Sequence, residues 1–287
     1  MRKVLVNGVN LHYEQQGTGS DVILVHGIAN NLSYWLLTIM HGLSKHHRVT
    51  IFDLRGHGLS ELTPTGYTTG DLADDLRGLM DGLGIERAHL YGHSHGGAIA
   101  MHCAVRYPER VRSLALGDSA IPALREHMSL ANWPGYAKLQ KWLGPYGVKL
   151  PDNPDTWDAS EFLPQVYKLP TFIGMRRGLP LQGRRIQRLG DETTCFEDMR
   201  VVGDLTEERI RRMAVPTLAI YDEGGAFLSV GHYLAEHLPR CRLLVQEGNH
   251  LFPAVAPEAL VTPLLAHFAA VDSELDLVRP RAGPESP

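Results

Sequence analysis

The chain has 287 residues, 44% of them hydrophobic, so it can bury a large core, and one α/β domain with an insertion is expected. Its 28 basic and 32 acidic side chains leave a net charge of −4, which favours neither nucleic acid nor an anionic membrane as a partner. Three widely spaced cysteines and the lack of an apolar leader or of about 18 consecutive apolar residues argue against disulfides, secretion and membrane spans. We therefore expect a cytoplasmic protein without a metal or cofactor.

The first 120 residues alternate predicted strands with predicted helices. Short apolar or alternating runs predict strands, whereas amphipathic spacing predicts helices. A regular alternation of this kind predicts an α/β fold with a mostly parallel sheet covered by helices on both faces. The predicted strands are 9–14, 21–25, 48–52, 88–91 and 112–117, and the predicted helices are 32–43, 69–83 and 95–107.

The alternation stops after Pro122. Residues 120–207, called the insertion below, hold many Pro, Trp, Tyr and Arg and no convincing apolar strand, so we predict a helical insertion. It would divide the α/β core into residues 1–119 and 208–271, with strands 217–221 and 242–245 and a closing helix 256–269. Residues 272–287 are charged and rich in Pro and Gly, which predicts a frayed tail.

The sharpest motif is Gly92-His93-Ser94-His95-Gly96, between a predicted strand and a predicted helix. This is the context of a nucleophile elbow, in which a serine occupies a strained turn and flanking glycines let two backbone segments pass closely. The amide of His95 then begins a helix and can donate to an oxyanion.

Two further motifs supply the remaining parts of an acyl-transfer site. The turn His26-Gly27-Ile28 follows a buried strand and can direct the Ile28 amide at the same oxyanion. His250, on the loop after the last predicted strand, is placed to act as the base that a serine nucleophile needs. His93 and His95 could compete for that role, but neighbours on a tight turn point away from the serine.

Taken together, these motifs resemble the α/β-hydrolase fold superfamily over residues 5–270. The resemblance implies a mostly parallel central sheet flanked by helices, with a helical cap inserted after the sixth strand. It also implies a catalytic serine, a loop histidine and a two-amide oxyanion hole, matched by Ser94, His250, and Ile28 with His95. Asp53–Ser60 resembles the D-x-R-G-x-G-x-S loop of capped members, which implies a structural role.

One part of the family pattern is missing. The acid usually follows the strand after the cap, but that position is Gly225 in Asp222-Glu223-Gly224-Gly225. Asp118, at the end of strand 112–117, is the favoured replacement, because thioesterase-like members place the acid there. Asp222 or Glu223 could reach the histidine instead, and Asp118 could merely cap a turn.

The insertion carries aromatic and basic side chains that have two interpretations each. The aromatic residues either line an apolar substrate pocket or form the core of the insertion. The arginines either form a solvated face or attract an acidic substrate or acyl carrier protein. These residues are Trp133, Trp142, Tyr146, Trp157, Phe162, Phe172, Arg176, Arg177, Arg184, Arg185 and Arg188.

Two functional hypotheses follow. The first is a serine hydrolase that cleaves a small-molecule ester or thioester through an acyl-enzyme, with Ser94, His250 and Asp118. The second is a non-hydrolytic member, either a small-molecule receptor or an enzyme of the lyase or cyclase type, and its motivation is the glycine at position 225. The serine excludes the family branches that use an aspartate nucleophile.

Overall fold

The computed structural model describes residues 1–128, 130, 133, 135–156, 159–167, 169 and 180–278. Eight strands in this part of the chain form one sheet in the order β1-β2-β4-β3-β5-β6-β7-β8. The pairs β1–β2 and β2–β4 are antiparallel, and all others are parallel. The strands are β1 Arg2–Val6, β2 Val9–Gln16, β3 Asp21–Val25, β4 Arg48–Phe52, β5 Ala88–His93, β6 Val111–Gly117, β7 Thr217–Asp222 and β8 Cys241–Gln246.

Two layers of helices cover the sheet, as predicted for an α/β protein. One core lies under α3, α4 and α10, and the other lies under α1, α2 and α12. The central parallel strands are apolar along both faces because both faces are buried. The helices of the core are α1 Ser33–Leu36, α2 Met40–Leu43, α3 Thr69–Gly82, α4 His95–Arg106, α10 Leu228–His237, α11 Phe252–Val255 and α12 Pro257–Val278.

Strand β1 was not predicted from the sequence. It forms a hairpin with β2 through Asn7 and Gly8, whose φ angles of 47° and 77° are those of a left-handed two-residue turn. The Asn-Gly pair is the sequence signal for such a turn. The hairpin supplies the antiparallel edge of the sheet, far from the β5–β8 end.

The described parts of the insertion contain helices joined by turns and coil, and no strand. Part of it has a small apolar core of its own, built from Tyr136, Leu143, Val148, Leu150, Val166 and Leu169. That it forms a cap over the active site stays a prediction. Its helices are α5 Gly135–Leu143, α6 Ala159–Tyr167, α7 Pro180–Glu192 and α8 Cys195–Asp198, and α9 Glu207–Arg211 follows at its end.

The predicted frayed tail is wrong for residues 272–278, because α12 continues to Val278. Asp272 anchors this end of the helix to the core. Its carboxylate accepts a hydrogen bond from the Ser20 hydroxyl at 2.7 Å and lies 3.1 Å from Nε2 of buried His89 and 3.2 Å from the Arg112 guanidinium. Residues 279–287 lie outside the described residues. No helix in the described ranges is long and apolar enough to cross a membrane.

Candidate active site

Ser94 occupies a sharp turn between β5 and α4. Its φ and ψ of 56° and −126° lie in a region that L-residues rarely adopt, which is the strain expected of a nucleophile elbow. A Cβ at Gly92 would lie 2.2 Å from the Gly96 carbonyl oxygen, and a Cβ at Gly96 would lie 2.3 Å from the Val25 carbonyl oxygen. Both glycines are therefore required by close backbone contact, as the motif predicted. Ser94 itself is partly exposed.

The turn after β3 lies directly beside this serine. A Cβ at Gly27 would be 3.1 Å from Cβ and 3.6 Å from Oγ of Ser94. The amide of Ile28 therefore belongs to a turn in contact with the serine. The amide of His95 is the first of α4, and the first amides of a helix have no partner within it. Both predicted oxyanion donors thus come from backbone next to Ser94.

His250 and Asp118 meet at the carboxyl edge of the sheet. Nδ1 of His250 lies 2.7 Å from Oδ2 of Asp118. The carboxylate is 1% exposed, whereas the imidazole is 42% exposed. Asp118 follows β6 and has a φ of 43°, so a strained turn carries this side chain as well. The hydrogen bond joins the two residues that the sequence favoured as acid and base.

The glycine at the usual acid position is close to this carboxylate. A Cβ at Gly225 would lie 3.1 Å from Oδ1 of Asp118. A side chain at Gly225 and the side chain of Asp118 would therefore compete for one space, and Asp118 occupies it from the neighbouring strand. A carboxylate on either residue would therefore lie in the same part of the site.

The two alternative acids make no hydrogen bond to His250 among the described residues. Asp222 is buried at the end of β7, where desolvation and the nearby Asp118 carboxylate raise its pKa. Glu223 is exposed, and its backbone amide donates to Gln246. The geometry thus selects Asp118 among the three candidates as the partner of His250.

His93 is not placed as a competing base. Burial and the adjacent His250 ring lower its pKa to about 3, and its Nε2 lies 2.7 Å from the His250 backbone oxygen. A neutral Nε2–H donor at that distance holds the loop that carries the base. The two rings also pack at a centroid distance of 4.8 Å. This supporting role was not predicted from the sequence, in which His93 was considered only as a competing base.

The Asp53–Ser60 loop contacts the backbone on several sides, which agrees with the structural role that the resemblance implies. Asp53 is 1% exposed, and its carboxylate accepts hydrogen bonds from the amides of Leu32 at 2.7 Å and Leu59 at 2.8 Å. The Ser60 hydroxyl donates to the Asp53 carbonyl at 2.6 Å. These contacts join the loop to the segment that follows the oxyanion turn.

The arginines of the insertion are partly engaged within the chain. Arg185 donates to the Gly56 carbonyl at 2.9 Å, and Arg188 pairs with Glu192 on the same helix, whereas Arg184 is exposed. Among the aromatic residues, Trp133 and Phe162 pack on the apolar core of the insertion, and Trp142 and Tyr146 are exposed. Trp157, Phe172, Arg176 and Arg177 lie outside the described residues. Across the described ranges, no group of His, Cys, Asp or Glu is arranged to hold a metal ion.

We expect acidification to destabilise the fold through the histidines around the site. Burial lowers the pKa of His57 and His93 to about 3 and that of His95 to about 4, against 6.5 in a model peptide. Between pH 6.5 and 4, the unfolded chain therefore binds more protons than the folded chain. The contribution of these histidines to the free energy of unfolding is fully present above pH 6.5 and falls as the pH drops towards 4. Each histidine contributes at most about 1.4 kcal/mol per pH unit.

Urea unfolding at a series of pH values measures this slope. His95→Met should make the slope shallower, because it removes a buried imidazole whose Nε2 has no described partner. His41→Gln should leave it unchanged, since His41 is exposed. A free energy of unfolding that stays flat between neutral and mildly acidic pH would refute the prediction.

Comparison with known proteins agrees with the fold. The family model described as alpha/beta hydrolase fold matches residues 22–164. A protein of Azorhizobium caulinodans named as a carbamate hydrolase is 29% identical over 278 residues, which cover 92% of this chain and 96% of that protein. The 2-hydroxy-6-oxo-2,4-heptadienoate hydrolase of Pseudomonas putida is 37% identical over 119 residues, which cover 40% of this chain but only 43% of that enzyme.

Solved structures extend the likeness to nearly the whole chain. The enol-lactonase of Burkholderia xenovorans aligns with a TM-score of 0.67 and 23% identity, covering 93% of this chain and 100% of that one. At this identity the alignment shows the fold. The relatives compared are named as hydrolases or, in this last case, as a lactonase. With its eight-stranded sheet and these matches, the chain has the α/β-hydrolase fold.

Proposed function

We propose that this protein is a serine hydrolase that cleaves a small ester or thioester through an acyl-enzyme. The observation that carries the proposal is the 2.7 Å contact between His250 Nδ1 and the buried Asp118 carboxylate. A carboxylate on Nδ1 fixes the tautomer that leaves Nε2 free to accept a proton, and it stabilises the imidazolium that forms. The base is therefore equipped for catalysis although Gly225 provides no acid.

The reaction follows from these positions. His250 Nε2 takes the proton of the Ser94 hydroxyl while Oγ attacks the substrate carbonyl carbon. Charge develops on the carbonyl oxygen, and the amides of Ile28 and His95 stabilise it. The C–O or C–S bond then breaks, and His250 returns the proton to the leaving group. Water, deprotonated by His250, releases the acid and restores Ser94.

The class of bond is inferred from the placement of the acid and from the relatives. An acid after β6 resembles thioesterase-like members, and relatives of this chain are named as hydrolases of a carbamate and of a heptadienoate. Arg185 and Arg188 are engaged within the chain, so they are poor candidates for recruiting an acidic carrier protein. We therefore propose a small-molecule substrate. The non-hydrolytic hypothesis was based on the glycine at position 225. The Asp118 carboxylate next to His250 weakens that argument.

Stopped-flow kinetics with p-nitrophenyl acetate tests the acyl-enzyme. We expect a rapid release of about one p-nitrophenolate per active site, followed by slower steady turnover, because deacylation follows acylation as a separate step. Acetyl-CoA and p-nitrophenyl carbamates as further substrates distinguish thioester and carbamate cleavage. Binding of these compounds without any turnover would favour the receptor hypothesis and contradict the proposal.

A further inference from the structure

One face of helix α7, in the insertion, packs on the oxyanion turn. Ile186 is 5% exposed and belongs to an apolar cluster with Ala29, against which Ile28 also packs. Leu189, one turn away on the same face, is 1% exposed and belongs to a second cluster that Ile28 contacts. The residue proposed as an oxyanion donor is therefore held from outside by a helix that carries none of the catalytic groups.

Arg185, on the same helix, fastens α7 to the neighbouring loop. Its Nε donates to the Gly56 carbonyl at 2.9 Å, and its guanidinium also donates to the Ser60 carbonyl. No carboxylate of the described residues lies within ion-pair distance of this guanidinium, and burial lowers its pKa. These two carbonyl oxygens give a half-buried cation a defined geometry, because leaving them would cost it both hydrogen bonds.

His57 connects that loop to the oxyanion turn. Its Nδ1 lies 2.8 Å from the Arg55 carbonyl, which requires the proton on Nδ1 and leaves Nε2 as an acceptor. Nε2 then accepts the amide of Ala29 at 3.2 Å. Ala29 has a φ of 59°, a conformation that persists only when its surroundings hold it. The peptide next to Ile28 is thus fixed by a side chain of the loop that Arg185 grips.

The space between these groups is nearly filled. A cavity of about 10 Å³ lies among Asn30, Gly56, His57, Gly58, Arg185, Ile186 and Leu189. Such a volume holds at most a single water molecule. A displacement of α7 would therefore be transmitted to the loop and to His57 rather than absorbed by empty space.

We infer that Arg185 is a positioning residue for the oxyanion hole. It holds helix α7 against the Gly56–Ser60 loop, and His57 of that loop binds the amide of Ala29. This contact sets the orientation of the neighbouring Ile28 amide. The inference rests on the proposed function, in which that amide stabilises the oxyanion. It assigns helix α7 a role in turnover in addition to any role in enclosing the substrate. Because the oxyanion forms only after the serine attacks and is absent from the bound substrate, the effect falls on kcat and not on KM.

The test compares Arg185→Met with Arg184→Met, a matched change at the exposed neighbour on the same helix. With p-nitrophenyl acetate, we expect Arg185→Met to lower kcat about tenfold to a hundredfold, less than the loss of a whole oxyanion donor, with KM within about threefold. Arg184→Met should match the wild type. Arg185→Lys, which can still donate to one carbonyl, should recover part of kcat.

A second readout separates positioning from stability. A small alkylboronic acid forms a tetrahedral adduct on Ser94. In Arg185→Met, the affinity for this compound should fall by the same factor as kcat/KM. His57→Gln should retain more of this affinity than His57→Phe. The double variant Arg185→Met/His57→Phe should lose no more than His57→Phe alone, because both act on one path. A wild-type kcat in folded Arg185→Met, or strictly additive losses, would overturn the inference.

The outcome also separates this inference from the proposed function. If a fluorophosphonate fails to label Ser94 in the wild type, the proposed function fails and the inference with it. If the wild type is labelled and Arg185→Met binds the boronic acid as tightly as the wild type, only the inference fails. Should Arg185→Met not fold, Arg185→Lys and His57→Gln give the same comparison.

Discussion

Ser94→Ala is expected to lower kcat by about a million-fold, the scale of loss when the serine of a known triad is removed. This corresponds to about 8 kcal/mol of transition-state stabilisation. The physical reason is that no other nucleophile shares the position of Ser94 at the elbow between β5 and α4. Residual hydrolysis would come from the oxyanion donors alone. The measurement is steady-state turnover of p-nitrophenyl acetate under saturating conditions.

The control for this variant is its thermal stability, which shows whether the fold is retained. Alanine and serine differ by one oxygen and face the same backbone strain at a φ of 56°, so thermal unfolding should be nearly unchanged. His93 should keep its contact with the His250 carbonyl in the variant. Turnover within a few fold of the wild type would show that Ser94 is not the nucleophile, and would revive the non-hydrolytic hypothesis.

Asp118→Asn is expected to lower kcat by about ten-thousand-fold. An asparagine amide can donate to Nδ1 of His250, which stabilises the tautomer whose Nε2 carries a proton and cannot act as the base. The loss corresponds to about 5.5 kcal/mol. In contrast, Asp222→Asn and Glu223→Gln should change kcat by no more than a few fold, since neither side chain bonds to His250 in the described structure. A crippled Asp222→Asn with a near-normal Asp118→Asn would reverse the assignment.

The predicted acid can also be tested by moving a carboxylate from position 118 to position 225. A Cβ at Gly225 would lie 3.1 Å from Oδ1 of Asp118, so an aspartate there can reach the space that this carboxylate fills. Position 118 has a φ of 43°, which glycine adopts without strain. The double variant Asp118→Gly/Gly225→Asp should therefore recover activity above the single variant Asp118→Gly. Equal activity of the two variants would argue against a shared acid position.

The parallel core was predictable because its signals are local. The strand around Ile23 is a continuous apolar run, and the strands around Ile51 and Leu90 are short and mostly apolar; all three are buried on both faces. The β1–β2 hairpin was not predicted, although the Asn7-Gly8 pair is typical of its turn. The predicted helix 32–43 is divided into α1 and α2, and the Thr38 hydroxyl donates to the Tyr34 carbonyl at 2.5 Å, a side-chain contact that bends helices.

The site was predictable where chain order and backbone geometry decide it, and less so where packing does. Ser94 stands out because a strand and a helix meet at a Gly-flanked serine. The partner of His250 could not be chosen by sequence alone, because Asp118 and Asp222 both end strands at the same sheet edge. The hydrogen bond from Arg185 to the Gly56 carbonyl joins residues that are 129 positions apart in the sequence, so no local sequence pattern predicts it.

Labelling by a fluorophosphonate, followed by mass spectrometry of the peptide that contains Ser94, tests the central claim most directly. The account predicts one adduct per chain on Ser94, none in Ser94→Ala, and a greatly slowed reaction in Asp118→Asn, because the probe needs a serine activated by an oriented histidine. An unlabelled wild-type protein, or an adduct on another residue, would contradict the assignment of Ser94, His250 and Asp118 as one catalytic unit.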